Sequence, residues 1–255
     1  MRFLTALHTD VGIKKKNNQD SALLMEAETE KGNVLFTVIC DGMGGLAKGE
    51  LASATVIRAF SDWFEKTFPE VLYNGLTDET LKRSMEDVIH NMNSKISSYG
   101  RELGINLGTT VVALMIIEDK FYCINVGDSR CYHITNEFSQ ITKDHSYVQR
   151  EIDMGRMTQE EAKNHPQRNV LLQCVGASDY IVPDFFEGKV KENEVFMLCS
   201  DGFRHVISTE EFVKYLNPTL LQDKKQIEEV AEQLTELNKN RREEDNISVI
   251  LVRTK

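Results

Sequence analysis

Five aspartates, spread over the whole length, each fall where an apolar run begins or ends: Asp20, Asp41, Asp128, Asp201 and Asp245. Asp41 follows the run 34–40, Asp128 follows 121–126 and Asp201 follows 195–199, while Asp20 and Asp245 precede 22–25 and 247–252. One such residue means little, because Asp readily bonds its own backbone in turns. Three of them also have glycine alongside, in Asp41-Gly42, Gly127-Asp128 and Asp201-Gly202, where another backbone can come close. Carboxylates gathered on one rim repel each other unless a cation neutralises them. Oxygen-only ligands select magnesium or manganese over zinc, so the chemistry on offer is that of a hard-cation site around Asp41.

The stretch Asp41-Gly42-Met43-Gly44-Gly45 admits two other readings. Gly42, Gly44 and Ala47 spell GxGxxA between a strand-like run and a helix opening near Glu50, which is the setting of a dinucleotide-binding turn. There a pyrophosphate approaches the helix N-terminus, beside which Asp41 sets a negative charge. The acidic residue such a site needs about 20 positions on is Asp62, which lies inside a helical pattern and not at the end of a second strand. The third reading is a glycine-rich turn with a capping Asp.

The elements that must position these residues follow from the apolar spacing. Residues 3–8 read as a strand. Val56, Ile57, Phe60, Trp63 and Phe64 recur at helical spacing, and a second helix opens on the acidic turn Thr77-Asp78-Glu79 with Leu81, Met85, Ile89 and Ile96 on one stripe. The runs 109–117, 121–126, 130–135 and 138–142, with turns such as Glu118-Asp119-Lys120 and Asn136-Glu137, read as consecutive antiparallel hairpins. Residues 144–168 are polar, with a capping box at Thr158-Gln159-Glu160-Glu161 and a stop at Pro166, the composition of an excursion that serves binding. Strand character returns at 195–199 and 247–252, with capped helices opening at Ser208 and Asp223 between them. The expected class is α+β, two antiparallel β-sheets packed as a sandwich with helices outside.

Composition narrows the function. A chain of 255 residues buries a full core, and no Pro/Gly/Ser-rich linker divides it, so one domain over 1–255 is expected. The formal charge of -10, with Lys14-Lys15-Lys16 the only conspicuous basic run near the N-terminus, argues against nucleic acid as a partner. The five cysteines form no CxxC pair, and four lie in apolar runs, which suits free thiols in a reducing compartment. None has an Arg at Cys-x5-Arg spacing; Arg204 falls one position short after Cys199. No stretch reads as a membrane span or signal-peptide core, so a soluble cytoplasmic protein is expected.

At this point the motifs carry a resemblance. Thr9-Asp10-Val11-Gly12 with Asn17-Asn18-Gln19-Asp20, Asp41-Gly42-Met43-Gly44-Gly45, Gly108-Thr109-Thr110, Val126-Gly127-Asp128-Ser129-Arg130, Thr142-Lys143-Asp144-His145-Ser146, His165-Pro166-Gln167-Arg168-Asn169, Ser200-Asp201-Gly202 and Asp245-Asn246-Ile247-Ser248 resemble, in order, the motifs of bacterial metal-dependent protein phosphatases of the PPM (type 2C) family. The resemblance covers essentially residues 1–253. It implies a four-layer sandwich flanked by helix pairs, with Asp41 bridging two Mn or Mg ions. Asp201 and Asp245 complete one ion's shell, the Gly42 carbonyl serves the other, Asp20 acts mainly through bound water, and Asp128 holds a third, weaker ion. Residues 144–168 become a flap beside the site. The implied activity is hydrolysis of phosphoserine and phosphothreonine in proteins by a metal-bridged water, opposing a cognate Ser/Thr kinase and carried out by a monomer. The competing roles are a phosphoprotein-binding pseudo-phosphatase and a partner-switching phosphatase of a sigma-factor pathway.

Departures from the family pattern matter. Lys15 stands where the family places an Arg that grips the substrate phosphate, and Lys offers a point charge instead of a bidentate fork; the plain alternative is a solvated lysine turn. Gln19 replaces the common Glu and removes one negative charge. Met43 stands where eukaryotic members carry a His, which leaves the proton donor to the leaving group unassigned. His205, in the unusual Phe203-Arg204-His205, reads as a structural or surface residue before it reads as that donor.

Overall fold

A computed structural model describes residues 1–43 and 48–255. In chain order, β1 (Phe3–Asp10), β2 (Asp20–Thr29) and β3 (Gly32–Met43) precede the helices α1 (Gly49–Asp62), α2 (Phe68–Tyr73) and α3 (Asp78–Leu103). Then come β4 (Gly108–Thr109), β5 (Val111–Ile117), β6 (Lys120–Val126), β7 (Arg130–Ile134), β8 (Phe138–Gln140), α4 (Tyr147–Asp153) and α5 (Gln159–Lys163). The chain ends with β9 (Asp184–Lys189), β10 (Val195–Cys199), α6 (Asp201–Arg204), α7 (Thr209–Tyr215), α8 (Lys224–Asn240) and β11 (Ile247–Thr254).

The strands form two antiparallel sheets, one ordered β1-β11-β10-β7-β8 and the other β2-β3-β5-β6-β9. The period of two along a strand explains why they stack. In β3, Val34, Phe36, Val38 and Cys40 face α1, α2 and α3, while Leu35 and Ile39 face the other sheet. In β11, Ile247, Val249 and Leu251 pack under α7 and α8, while Ile250 and Val252 face inward to meet them. Strands buried on both faces read as continuous apolar runs, and four layers follow: helices, sheet, sheet, helices. Because β3 is flanked by antiparallel partners on both sides, no parallel βαβ unit forms there and the dinucleotide-binding reading falls. The Gly44, Gly45 and Ala47 positions of that pattern lie outside the described residues.

Three expectations about the elements need correction. Asp41 lies inside its strand and not beyond it, whereas Asp20 opens β2 as expected, and the two stand opposite each other in the β2–β3 register. The β6–β7 connection is not a hairpin: β6 belongs to one sheet and β7 to the other, so 127–129 cross between sheets and carry Asp128 to the rim. β9 also went unpredicted, because Asp184, Glu187, Gly188 and Lys189 disfavour a strand in isolation. It sits at an edge, where one neighbour and exposed polar side chains suffice. The predicted caps at Thr77, Thr158, Ser208 and Asp223 all accept from backbone N–H groups of their first turns.

Candidate metal centre

The alternation that builds the sandwich also aims its acids. Counting by twos from Leu35 and Ile39 brings Asp41 onto the inward face of β3, and counting back from the inward Leu24 and Ala22 brings Asp20 onto the same face of β2. Both carboxylates therefore stand at the end of the gap between the sheets. From the opposite sheet, Ser200 and Ser248 exchange bonds that fix the mouth of β10 and β11: Ser200 N donates to Ser248 O at 3.1 Å, and Ser248 N to Ser200 Oγ at 3.1 Å. The Ser200 hydroxyl donates to Asp20 Oδ2 at 2.9 Å and so joins the two sheets.

Asn246 holds the remaining backbone in place. Its Oδ1 accepts from Gln19 N at 2.9 Å, and its Nδ2 donates to Val11 O at 2.9 Å and Asn17 O at 3.2 Å, pulling the 11–19 turn onto the start of β11. On the other side, Asp41 N donates to Thr110 Oγ1 and Thr110 N returns a bond to Asp41 O, both 2.9 Å. Two glycines are dictated by crowding. A Cβ on Gly42 meets Gly49 O at 2.3 Å, and a Cβ on Gly202 meets Asn246 O at 2.2 Å and Asp245 Cβ at 3.2 Å. Only glycine lets Asp201 and Asp245 come that close.

The electrostatics record this crowding. Burial first, then Asp20, Asp201, Asp128 and Asp245 in turn, drive the Asp41 carboxyl well above the usual carboxylate range. Burial, with Asp201 and Asp245 behind it, pushes Asp20 up to about 7 against the Ser200 hydroxyl. Burial and Asp201 push Asp128 up to about 7 against Arg204. Asp20 Oδ1 and Asp201 Oδ1 are buried and have no hydrogen-bond partner. Buried acceptors of this kind are costly, and orphaned carboxylate oxygens amid like charges are what a hard cation satisfies. The donors present fit a Mg or Mn site. Among the described residues, no three His, Cys, Asp or Glu side chains close on one point as a finished cage, as expected of carboxylates that repel one another.

Lys15 is not a free ammonium over the site. Its Nζ lies 2.7 Å from Asp245 Oδ1. Burial lowers its pKa, but the bond to Asp245 and the charges of Asp245, Asp41 and Asp201 raise it further than burial lowers it. Its neighbour Lys14 pairs with Glu244, and Lys16 is solvated. His205 sits between Asp201 Oδ2 and Glu243 Oε2, 3.5 Å from each, and its pKa rises because these acids outweigh burial. Met43 closes β3, and Gln19 contributes its backbone carbonyl to Gly42 N at 3.1 Å.

Sequence reasoning missed Arg204 and Glu243. Arg204 Nη2 donates to Asp128 O at 3.1 Å, beneath the acids. Glu243 Oε1 accepts from the N–H groups of Glu244 and Asp245 and shapes the turn that presents Asp245. The signal was slight: a cation within three residues of Asp201, and one acid of a Glu-Glu pair two residues before Asp245.

Beside the acids runs an open groove of about 1310 Å³, bounded by Lys15, Asp128, Arg204, Gln149 of α4 and Glu210 of α7. The base of 144–168 is anchored there. Arg130 grips Asp144 with two bonds of 2.7 and 2.8 Å, and Tyr147 N donates to Val170 O at 2.8 Å. His145 accepts from Gly127 N on Nδ1, which leaves Nε2 to donate to Asp184 Oδ2 at 3.0 Å.

The comparisons with known proteins agree with this geometry. The serine/threonine phosphatase stp of Listeria monocytogenes serotype 4b is 31% identical over 247 residues, covering 96% of this chain and 93% of that protein. The crystal structure of Stp1 from Staphylococcus aureus superposes with a TM-score of 0.85 at 29% identity, covering 100% of this chain and 96% of that one. The catalytic domain of PstP, solved in complex with two manganese ions, matches with a TM-score of 0.77 at 26% identity over 98% of this chain and 97% of that one. The family model described as protein phosphatase 2C matches residues 12–238, and with these relatives it establishes that the chain belongs to the protein phosphatase 2C family.

Proposed function

We propose that this phosphatase removes phosphate from phosphoserine and phosphothreonine in proteins at a centre of two Mn or Mg ions held by Asp41, Asp201, Asp245 and the Gly42 carbonyl, with Asp20 acting through water. The observation that carries this reading is the pair of buried, partnerless oxygens on Asp20 and Asp201 within a cluster of carboxylates. Divalent ions supply water activation near neutral pH and charge neutralisation on the phosphoryl oxygens.

The chain's own residues do the rest. Asp20, fixed by Ser200, and Asp41, fixed by Thr110, define one side of the site; Asp201 and Asp245, packed through Gly202, define the other. Lys15 holds Asp245 through its ammonium, and were Asp245 to hold an ion that ammonium would offer the substrate phosphate a point charge. No side-chain nucleophile is called for; the five cysteines are free and buried. The whole chain acts as one catalytic domain, and the segment 144–168 lines the groove as a flap that receives the protein substrate. A cognate Ser/Thr kinase of the same compartment supplies that substrate, and the phosphatase works as a cytoplasmic monomer. Among the described residues no helix is long and apolar enough to cross a membrane.

A pure phosphoprotein binder has no use for such a costly cluster of like charges, so the catalytic reading stands ahead of it. The test is phosphate release from phosphoserine, phosphothreonine and phosphotyrosine peptides, each with Mn2+ and with EDTA. Release from the first two that EDTA stops supports the proposal. Release that survives EDTA, or that is confined to phosphotyrosine, refutes it.

A further inference from the structure

Arg204 closes α6, three residues after Asp201, and its side chain is only 12% exposed. Nη2 lies 3.7 Å from Asp128 Oδ2 and 3.7 Å from Asp144 Oδ2, besides its bond to the Asp128 carbonyl. Nε is buried without a partner. The guanidinium is therefore held by charge more than by hydrogen bonds, wedged between the crossover that carries Asp128 and the base of the flap. Asp144 is already satisfied by the fork of Arg130, so Asp128 is the acid with most to gain from Arg204.

We propose that Arg204 takes the place of the third cation that family resemblance assigns to Asp128, so that this chain binds two divalent ions and keeps Asp128 with a tethered positive charge. The inference rests on the two-ion reading above. Charge favours it. Asp20, Asp41, Asp128, Asp144, Asp201 and Asp245 are six carboxylates, and Lys15, Arg130 and Arg204 are three fixed cations, a net of three negative charges when all are ionised. Two divalent ions already carry the cluster past neutrality; a third adds two more positive charges beside a guanidinium, where like charges at short range repel strongly. Geometry favours it too. Arg204 Nη2 already stands 3.7 Å from Asp128 Oδ2, whereas a hard cation wants several oxygens turned toward it. The same contact to Asp144 ties the β6–β7 crossover to the flap base, an anchoring that then needs no ion.

The test is Mn2+ stoichiometry by equilibrium dialysis on the full chain, for the wild type, Asp128→Asn, Arg204→Gln and the double variant. The expected result is two Mn2+ per chain in the wild type and in Asp128→Asn, a third and weaker Mn2+ in Arg204→Gln, and its loss in the double variant. Three Mn2+ in the wild type, one of them removed by Asp128→Asn, overturns the proposal without recourse to any Arg204 variant. A folded Arg204→Gln that still holds two overturns it as well, because Asp128 then binds no ion with or without the arginine. Fewer than two in the wild type refutes the two-ion reading itself, and this inference falls with it.

Discussion

Replacing Asp20 by Asn should stabilise the metal-free protein, although Asp20 belongs to the proposed metal site. The carboxyl rises from an ordinary 3.8 to about 7 on folding, chiefly through burial. A raised acid costs nothing below its unfolded pKa and its full amount above its folded one, so the burden is absent near pH 3 and complete above about pH 7. At roughly one to two kcal/mol per pH unit, the gap is worth about 4 kcal/mol at pH 8 and only about a third of that at pH 5. Asn keeps an acceptor for the Ser200 hydroxyl, so most of the gain should survive. For a chain of this size it corresponds to a rise in melting temperature of roughly 8–16 °C at pH 8. Calorimetry in EDTA at pH 8 and pH 5 measures both values. An Asp20→Asn variant that melts lower than the wild type at pH 8, or whose advantage is the same at both pH values, would show that burial of the Asp20 carboxylate carries no such cost.

Three further predictions concern the surroundings of the acids. Lys15→Ala should raise Mn2+ affinity by roughly two- to fivefold, since a half-exposed ion pair on Asp245 worth about 0.5–1 kcal/mol is removed, and should also raise KM for a small phosphoester; calorimetric titration showing weaker Mn2+ binding would contradict the placement of Lys15. Asn246→Ala removes three bonds that hold the 11–19 turn and should cost about 2–3 kcal/mol in urea unfolding at about 1 kcal/mol per bond; a loss under about 0.5 kcal/mol would mean the turn is held elsewhere. Gly202→Ala drives a Cβ to 2.2 Å from the Asn246 carbonyl and should destabilise by about 2 kcal/mol or more, with weaker Mn2+ binding as Asp201 and Asp245 part; unchanged Mn2+ affinity would separate that glycine from the site.

Most of the architecture is legible in the chain because its central strands are buried on both faces and several of its helices, among them α3, α5, α7 and α8, are capped by Ser, Thr or Asp. β3 and β11 announce themselves as apolar runs, and Thr77, Ser208 and Asp223 mark helix starts. What stays hidden depends on which sheet a strand joins. The runs 121–126 and 130–135 look like a hairpin, and nothing local says that Gly127-Asp128-Ser129 steps from one sheet to the other. β9 hides because an edge strand tolerates the charges that disguise it. The acids of the centre are visible through their places beside strands and glycines, whereas the cations that answer them are not. Arg204 in sequence is one polar residue shortly after Asp201-Gly202, and Lys15 is one of three lysines in a turn. Only the fold brings the first under Asp128 and the second onto Asp245.

A metal centre formed by the acids shared between the two sheets, hydrolysing phosphoserine and phosphothreonine as proposed, must lose its turnover with its ligands. The most direct measurement is phosphate release from a phosphothreonine peptide at saturating Mn2+ by the wild type and by Asp201→Ala, with circular dichroism confirming that both are folded. The expected result is turnover by the wild type that EDTA abolishes, and a loss of at least a hundredfold in a well-folded Asp201→Ala. Turnover of Asp201→Ala within a few fold of the wild type would contradict it.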